Sequence, residues 1–175
     1  MLDGPGVVGL MTWAGLALTS PANRPSLLSP EIPAGIYGDG LLTLPDSELA
    51  DAVTEAIEWD FGRPLRAVGF NGFGDLFLRH EEEEAVQYLW LQYGRGREVA
   101  AGVQSLQTLL SPESGERDKF LEEAAFRLAH ARLGSPPYGS VYTHVPILGL
   151  GGDGNPERCA IGHLDSYVSI VSQSI

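Results

Sequence analysis

Residues 142–152 read Tyr-Thr-His-Val-Pro-Ile-Leu-Gly-Leu-Gly-Gly, an apolar run with an internal proline and a closing glycine pair. The part from Val145 to Leu150 predicts a strand at a sheet edge, because proline has no N–H to donate inside a sheet. Gly151 and Gly152 predict a turn at positive φ, where other residues are strained. The stretch therefore predicts a structural element rather than a catalytic motif.

Further strand patterns lie upstream of this run. Residues 36–44 predict one extended strand, and residues 86–90 predict another. Residues 65–70 and 75–79 predict a hairpin around the turn sequence Asn71-Gly72-Phe73-Gly74. Neighbouring strands follow one another without regular helical crossovers. The predicted fold class is therefore α+β, a mostly antiparallel sheet with helices packed on it.

Apolar side chains at helical spacing predict four helices. The first has Asp46 among its starting residues and an apolar stripe over residues 49–57. The second covers residues 103–110, and the third covers residues 120–128 and ends at Gly134. The last short helix is predicted by four apolar side chains, Leu164, Tyr167, Val168 and Val171.

Charge and cysteine content limit the possible functions. The 175 residues include 11 Lys and Arg against 23 Asp and Glu, a formal net charge of −12. Such a chain repels a phosphate backbone, so we expect no direct binding of nucleic acid. The same charge favours capture of a basic protein, although it also serves solubility alone. Cys159 is the only cysteine, which excludes an intrachain disulfide and favours the reducing cytoplasm.

The N-terminal region predicts a leader and a connector. Residues 7–18 are apolar and would suit the core of a signal peptide, but the preceding residues include Asp3 and no Lys or Arg. The run is also shorter than the roughly 20 residues of a membrane span, so we expect no membrane association. Export remains the alternative. Four prolines, Pro21, Pro25, Pro30 and Pro33, predict a stiff connector that completes a segment over residues 1–35.

The order of several motifs resembles one known family. Tyr37-Gly-Asp-Gly-Leu-Leu-Thr-Leu-Pro45, then Gly72-Phe-Gly-Asp75, then Leu133-Gly134, then Val145-Pro-Ile-Leu-Gly-Leu-Gly-Gly152 are similar to the type VI secretion immunity family of the Tdi type. The resemblance covers residues 37–173. Its structural motif residues in this chain are Gly74, Asp75, Pro146, Leu148, Gly151 and Gly152.

The resemblance implies both an organisation and a function. A single immunity-like domain would cover residues 36–175, with a GAD-like part over 36–99 and a C-terminal part over 100–175. Members of this family resemble cytoplasmic antidotes that bind and neutralise a cognate secreted toxin. In the example after which the family is named, that toxin is a DNase effector. Neutralisation by contact would need no catalytic residue and no cofactor.

A toxin-binding role makes certain side chains candidates for the interface. Acidic side chains would face a basic surface, and tyrosines would serve as aromatic anchors. For each residue the competing interpretation is ordinary solvation or core packing. The candidates are Glu81, Glu82, Glu83, Glu84, Asp153 and Glu157, together with Tyr138 and Tyr142.

Enzymatic motifs are weak in this sequence. Residues 149–154 and residues 4–9 both fit G-x-G-x-x-G, but neither lies between a strand and an opening helix, so both predict turn glycines. His80 and the four glutamates after it predict a solvated strand edge rather than a metal site. We therefore expect no catalytic, cofactor-binding or metal-binding residues. The alternative function is a small-molecule-binding or enzymatic α+β domain with its site near Gly149–Gly154.

Overall fold

The computed structural model describes residues 11–175, which form one eight-stranded sheet, one two-stranded sheet and five α-helices. The strands of the large sheet are adjacent in chain order and antiparallel throughout, so the sheet is a meander. They are β1 (Thr12–Trp13), β2 (Leu16–Pro25), β3 (Pro33–Tyr37), β4 (Leu42–Leu44), β5 (Leu65–Asn71), β6 (Leu76–His80), β7 (Val86–Trp90) and β8 (Arg95–Ala100).

The remaining elements pack on this sheet. Two short antiparallel strands, β9 (Ser140–Thr143) and β10 (Ala160–His163), form the second sheet. The helices are α1 (Ser47–Glu55), α2 (Val103–Leu109), α3 (Arg117–Leu121), α4 (Glu123–Leu133) and α5 (Leu164–Ser172). The predicted α+β class with a mostly antiparallel sheet is confirmed. No helix within residues 11–175 is both long and apolar enough to cross a membrane.

Both faces of the large sheet are buried. Side chains of β7 show why: Tyr88 packs into a core beneath α2, α3 and α4, while Leu89 points into a second core with α1 and α5. On the first face the ring of Tyr88 contacts Phe120, with centroids 5.0 Å apart. On the second face Val53 of α1 and Val168 of α5 are fully buried. Alternation along the strand thus serves two cores.

Helix ends follow the sequence signals. The Asp46 carboxylate accepts a hydrogen bond from the N–H of Leu49 at 2.9 Å and so caps α1. Gly134, at φ 74°, ends α4 as expected, since its N–H donates to the carbonyl of His130. The four apolar side chains predicted to face inward from α5 are all buried.

Residues 12–25 lie in the sheet rather than in an unpaired connector. Leu18 pairs with Tyr37 and Ser20 with Ile36, so β2 extends the sheet beyond β3. The register shifts between Pro21 and Pro25, which is how the ladder accommodates two residues that lack an N–H. The earlier part of the predicted leader and the glycine motif at 4–9 lie outside the described residues. The division at residue 36 stays a prediction.

Two other predicted elements differ from the structure, and further strands were not predicted. Residues 36–44 form two strands, because a turn with Asp39 at φ 60° reverses the chain between β3 and β4. The helix expected from Phe120 is interrupted at Glu122, whose φ of 50° separates α3 from α4. Strands β8, β9 and β10 were not predicted from the sequence.

Residues 145–150 do not form the predicted strand. They follow β9 as an irregular segment and end in a short 3₁₀ turn at Leu148–Leu150. The turn closes through backbone bonds from the N–H groups of Gly151 to Leu148 and of Gly152 to Ile147, both 3.0 Å long. These local bonds, together with a proline that has no N–H, replace the ladder that an apolar pattern alone would predict.

Candidate functional site

The predicted acidic run lies at one end of the large sheet. Glu81, Glu82 and Glu84 are exposed in the turn between β6 and β7, and Glu83 pairs with Arg63 at 2.5 Å. His80 is buried, with its Nδ1 atom 3.0 Å from the carbonyl oxygen of Pro64. No cluster of three metal-ligating side chains occurs in the part of the chain that the structure describes. The run is therefore largely solvated, as predicted, but it occupies a turn between two interior strands rather than an edge of the sheet.

The two tyrosines that were proposed as interface anchors both make contacts within the fold. Tyr138 is half-buried, and its hydroxyl accepts a hydrogen bond from the N–H of Asp46 at 2.9 Å. Tyr142 is 0 % exposed and packs against Phe73 and Phe126. Its prediction as an interface anchor is corrected, because a ring enclosed by the core presents no surface to a partner.

Asp153 and Glu157 are distant in space from the glutamate run. Both are exposed in the loop after the glycine turn, and Asp153 pairs with Arg158 at 3.2 Å. The loop reaches the end of the sheet where the chain turns between β5 and β6, whereas Glu81–Glu84 occupy the other end of β6. Five strand residues, about 17 Å, separate the two ends. The structure therefore brings only some of the predicted partner residues together.

The glycines of the motif have different structural reasons. Gly151 has φ 89° with no heavy atom within 4 Å of where a Cβ would lie. A Cβ on Gly152 would lie 1.9 Å from the carbonyl oxygen of Pro146, which no packing tolerates. Gly74 combines φ 87° with contact to Leu164, 3.1 Å from its hypothetical Cβ. The steric requirement for glycine is therefore strongest at position 152.

A buried polar network organises the turn between β5 and β6. The side-chain oxygen of Asn71 accepts hydrogen bonds from the N–H groups of Phe73 and Asp75, each at 3.0 Å. Its amide nitrogen donates to the hydroxyl of Tyr88 and to the carbonyl of Phe120. All four hydrogen-bonding positions of this fully buried amide are therefore used.

Asp75 continues the same network. Its carboxylate accepts a hydrogen bond from Tyr88 Oη and another from the N–H of Leu91, both at 2.8 Å. Asp75 is 8 % exposed. Because burial disfavours the ionised form, the pKa of this carboxyl is raised to about 6. The motif residue Asp75 thus stabilises the turn and also supplies a carboxyl that is a weaker acid than usual.

Asp75 lies at a small cavity of about 140 Å³, which we call the acidic pocket. Its aromatic groups are Phe73, Trp90, Tyr93 and His144. Its other polar side chains are Gln92, Lys119 and Glu122, and the lining is completed by Ala125, Leu148 and Gly154. The two parts proposed from sequence, 36–99 and 100–175, each contribute about half of this lining.

Glu122 is the second carboxyl of the acidic pocket. The residue is exposed at the rim, and its side chain makes no hydrogen bond or ion pair with any residue between 11 and 175. Partial burial, followed by the charges of Asp75 and Asp118, raises the pKa of its carboxyl to about 7. In both carboxyls the largest cause of the raised pKa is burial, which disfavours the ionised form.

A cysteine and a histidine meet beside this pocket. Cys159 Sγ lies 3.6 Å from Nδ1 of His144, and the imidazole stacks on Phe73 with ring centroids 5.6 Å apart. A nucleophilic cysteine needs a lowered pKa, usually from a protonated histidine. Here burial raises the pKa of the thiol to about 11 and lowers that of His144. The pair has the spacing of a nucleophile and base but not the charge state.

Sequence patterns did not identify this pocket, because its side chains come from several separate segments. Asp75 was proposed as a motif residue, and the glycine turn was proposed as the place of an alternative site. Glu122 and His144 carried no local signal beyond helical and apolar patterns. Only the break between α3 and α4, which no capping residue announces, turns Glu122 toward the pocket.

Comparison with known proteins gives a family match over the C-terminal part. Residues 100–174 match the family model described as T6SS immunity protein Tdi1, C-terminal, where T6SS denotes the type VI secretion system. The resemblance proposed from the motif order is thereby confirmed for this part. No curated protein has a sequence similar enough to count as a relative.

A solved structure shares the fold over most of the chain. The crystal structure of Atu4351 from Agrobacterium tumefaciens superposes with a TM-score of 0.64 at 17% sequence identity. The match covers 89% of this chain and 85% of that chain. At this identity the similarity establishes the architecture, including the sheet that precedes the family match.

Proposed function

We propose, from the match of residues 100–174 to the C-terminal domain of the T6SS immunity protein Tdi1, that this chain protects a bacterial cell by binding a cognate toxin. Neutralisation occurs in the cytoplasm by protein contact. The family match is the observation that carries the proposal, and the motif order from Tyr37 to Gly152 extends it to the sheet.

A nuclease, in particular a DNase, is the toxin that best fits the charge. An enzyme that binds DNA has a basic surface, because its affinity depends on neutralising phosphates. A protein with a formal charge of −12 is attracted to such a surface and repelled by the DNA itself. Electrostatic complementarity of this kind accelerates encounter and aligns the partners.

The chemistry of the described residues favours binding over catalysis. Burial raises the pKa of the Cys159 thiol and lowers that of His144, which disfavours the thiolate–imidazolium pair of a nucleophilic cysteine. The motif residue Asp75 is engaged by two strong hydrogen bonds within the fold. These groups behave as structural elements beside a recognition pocket.

Co-expression tests the proposal directly. We expect the chain to restore growth of bacteria that express the product of the neighbouring toxin gene, and the two proteins to co-purify. Addition of the purified chain should also stop degradation of plasmid DNA by that toxin. Continued killing, together with no complex on gel filtration, would contradict the proposed function.

The second candidate function is an enzyme or small-molecule-binding domain with its site at the glycine turn. The acidic pocket, which contains Gly154 and two carboxyls of raised pKa, is the observation that favours it. Turnover of a small substrate, or a small molecule retained by the purified protein, would favour this second candidate over toxin binding. Alkylation of Cys159 by iodoacetamide tests the narrower case of a cysteine nucleophile. Modification as fast as that of an activated thiol would favour the enzyme, whereas a rate below that of free cysteine agrees with the binding role.

A further inference from the structure

We propose that the acidic pocket is a socket for one basic side chain, an arginine or a lysine, of the partner protein. This inference rests on the proposed function and assigns a recognition site within it. The socket differs from the Glu81–Glu84 run, which lies at the other end of β6.

The size of the pocket selects the class of ligand. Sites for cofactors and drug-sized molecules usually enclose about 300–1,000 Å³. A cavity of about 150 Å³ accommodates a group of the size of benzene. The acidic pocket, with about 140 Å³, has room for the head of one side chain and not for a nucleotide.

The charges of the pocket select a cation. Two carboxyls, Asp75 and Glu122, line it, and Glu122 has no partner among residues 11–175. One cation, Lys119, also lines the pocket, but its ammonium group is paired with Glu116 at 2.6 Å. Arg158 of the nearby loop is paired with Asp153 at 3.2 Å. An entering guanidinium or ammonium group would supply the donors that Glu122 lacks, in a charge-assisted hydrogen bond.

The walls of the pocket suit the same ligand. The ring of Phe73 stacks on His144 with an interplanar angle of 5°, which gives the pocket a flat aromatic wall. Trp90 already holds one cation, since the guanidinium carbon of Arg97 lies 5.6 Å from its ring centroid. Aromatic faces attract cations through the ring quadrupole, most strongly where water is excluded.

Exposed apolar side chains lie next to the pocket. Tyr93 is 62 % exposed, Leu150 is 66 % exposed and Ile175 is 56 % exposed. The turn that carries Tyr93 contacts the turn that carries Leu150, and a Cβ on Gly94 would lie 3.6 Å from the Ile175 side chain. A central charged or aromatic anchor surrounded by apolar contacts that exclude water is the usual anatomy of a binding hot spot. This end of the molecule therefore has both parts of one.

Two model peptides test the socket without the toxin. Acetyl-Gly-Arg-Gly-amide should shift the NMR signals of Trp90 and His144, and the citrulline analogue, which has the same shape but no charge, should bind at least about tenfold more weakly, a difference of about 1.4 kcal/mol. Glu122→Gln should weaken arginine binding, and Glu55→Gln, an exposed carboxylate on α1, should not. Equal binding of the two peptides, or arginine shifts outside the pocket, would overturn the proposal.

The neighbouring toxin separates this inference from the proposed function. If the unmodified chain captures the toxin and Glu122→Gln lowers its affinity about tenfold, the immunity role and the socket are both supported. Capture that Glu122→Gln leaves unchanged would refute the socket and keep the immunity role. Failure of the unmodified chain to capture the toxin would refute the immunity role, and the peptide result then decides the socket alone. Turnover of a small substrate in the pocket would refute both.

Discussion

The hydroxyl of Tyr88 donates a 2.8 Å hydrogen bond to the carboxylate of Asp75, and both groups are buried where β6 and β7 meet the turns of the sheet. This bond connects the core to the acidic pocket. Tyr88 supports the first hydrophobic core with its ring and orients Asp75 with its oxygen. The same hydrogen bond therefore contributes to stability and to the charge of the proposed site.

Tyr88→Phe should destabilise the protein by about 1–3 kcal/mol, because it leaves a buried carboxylate oxygen without its donor. Urea unfolding followed by circular dichroism measures the change. Tyr93→Phe serves as the control, since that residue is exposed and its hydroxyl makes no described hydrogen bond. Equal midpoints for Tyr88→Phe and the unmodified protein would show that the bond is energetically neutral.

Asp75→Asn should change how stability depends on pH. The folded-state pKa of Asp75, about 6, lies above the ordinary value of 3.8, so this carboxyl stabilises the fold fully only below about pH 4. Its contribution is lost as pH rises through about 6. The free energy of unfolding of Asp75→Asn should therefore rise relative to the unmodified protein across this window, by at most about 3 kcal/mol. A difference independent of pH would show that the pKa is ordinary.

The two glycines of the closing pair should respond differently to substitution. Gly151→Ala places a side chain in open space at positive φ, which costs about 1–2 kcal/mol. Gly152→Ala should lower the melting temperature more, since its Cβ would overlap the carbonyl oxygen of Pro146. Differential scanning calorimetry compares them. A larger loss for Gly151→Ala would place the main constraint in backbone conformation.

Glu122→Gly should stabilise the fold while weakening partner capture. Glycine removes the strain of a non-glycine residue at φ 50° and the repulsion between Glu122 and Asp75, against a smaller entropic loss. We expect the free energy of unfolding, measured by thermal denaturation, to rise by about 1 kcal/mol. A parallel loss of toxin or arginine-peptide affinity would identify Glu122 as a residue kept for function. A gain in both quantities would contradict this interpretation.

Reversal of Glu81, Glu82, Glu83 and Glu84 to lysine should slow association with a basic toxin more than it speeds dissociation, because exposed rim charges act mainly on encounter. Surface plasmon resonance at low and high salt measures both rates. The effect should shrink as salt rises. Unchanged association would remove this run from the path of encounter and leave the acidic pocket as the candidate contact.

Local patterns in the sequence determined most of the helices and the three strands β5, β6 and β7. The hairpin around Gly72, the cap of α1 at Asp46 and the end of α4 at Gly134 each depend on residues a few positions apart, so their chemistry is readable along the chain. The same reasoning established the α+β class, and the order of short motifs indicated the immunity family that residues 100–174 match.

Tertiary contacts decided the elements that local patterns misassigned. Residues 145–150 are apolar enough for a strand, but Gly152 folds back against Pro146 and closes a turn. Residues 16–25 contain prolines typical of a connector, yet β3 offers an edge to which β2 pairs through irregular register. Residues 145–150 are held by local backbone bonds and by the hydrogen bond that the N–H of Leu148 donates to the side-chain oxygen of Gln92. Residues 16–25 depend on pairing with a separate strand.

The acidic pocket is the feature that only the folded chain defines. Asp75 and Glu122 are 47 positions apart in the sequence and belong to a β-turn and a helix junction. Composition fixed the overall acidity of the chain, but neither the shared cavity nor the raised pKa values of these carboxyls follow from composition. Burial raises the pKa of both carboxyls, and the charges of Asp75 and Asp118 raise that of Glu122 further. These surroundings arise only when the sheet and the C-terminal elements pack together.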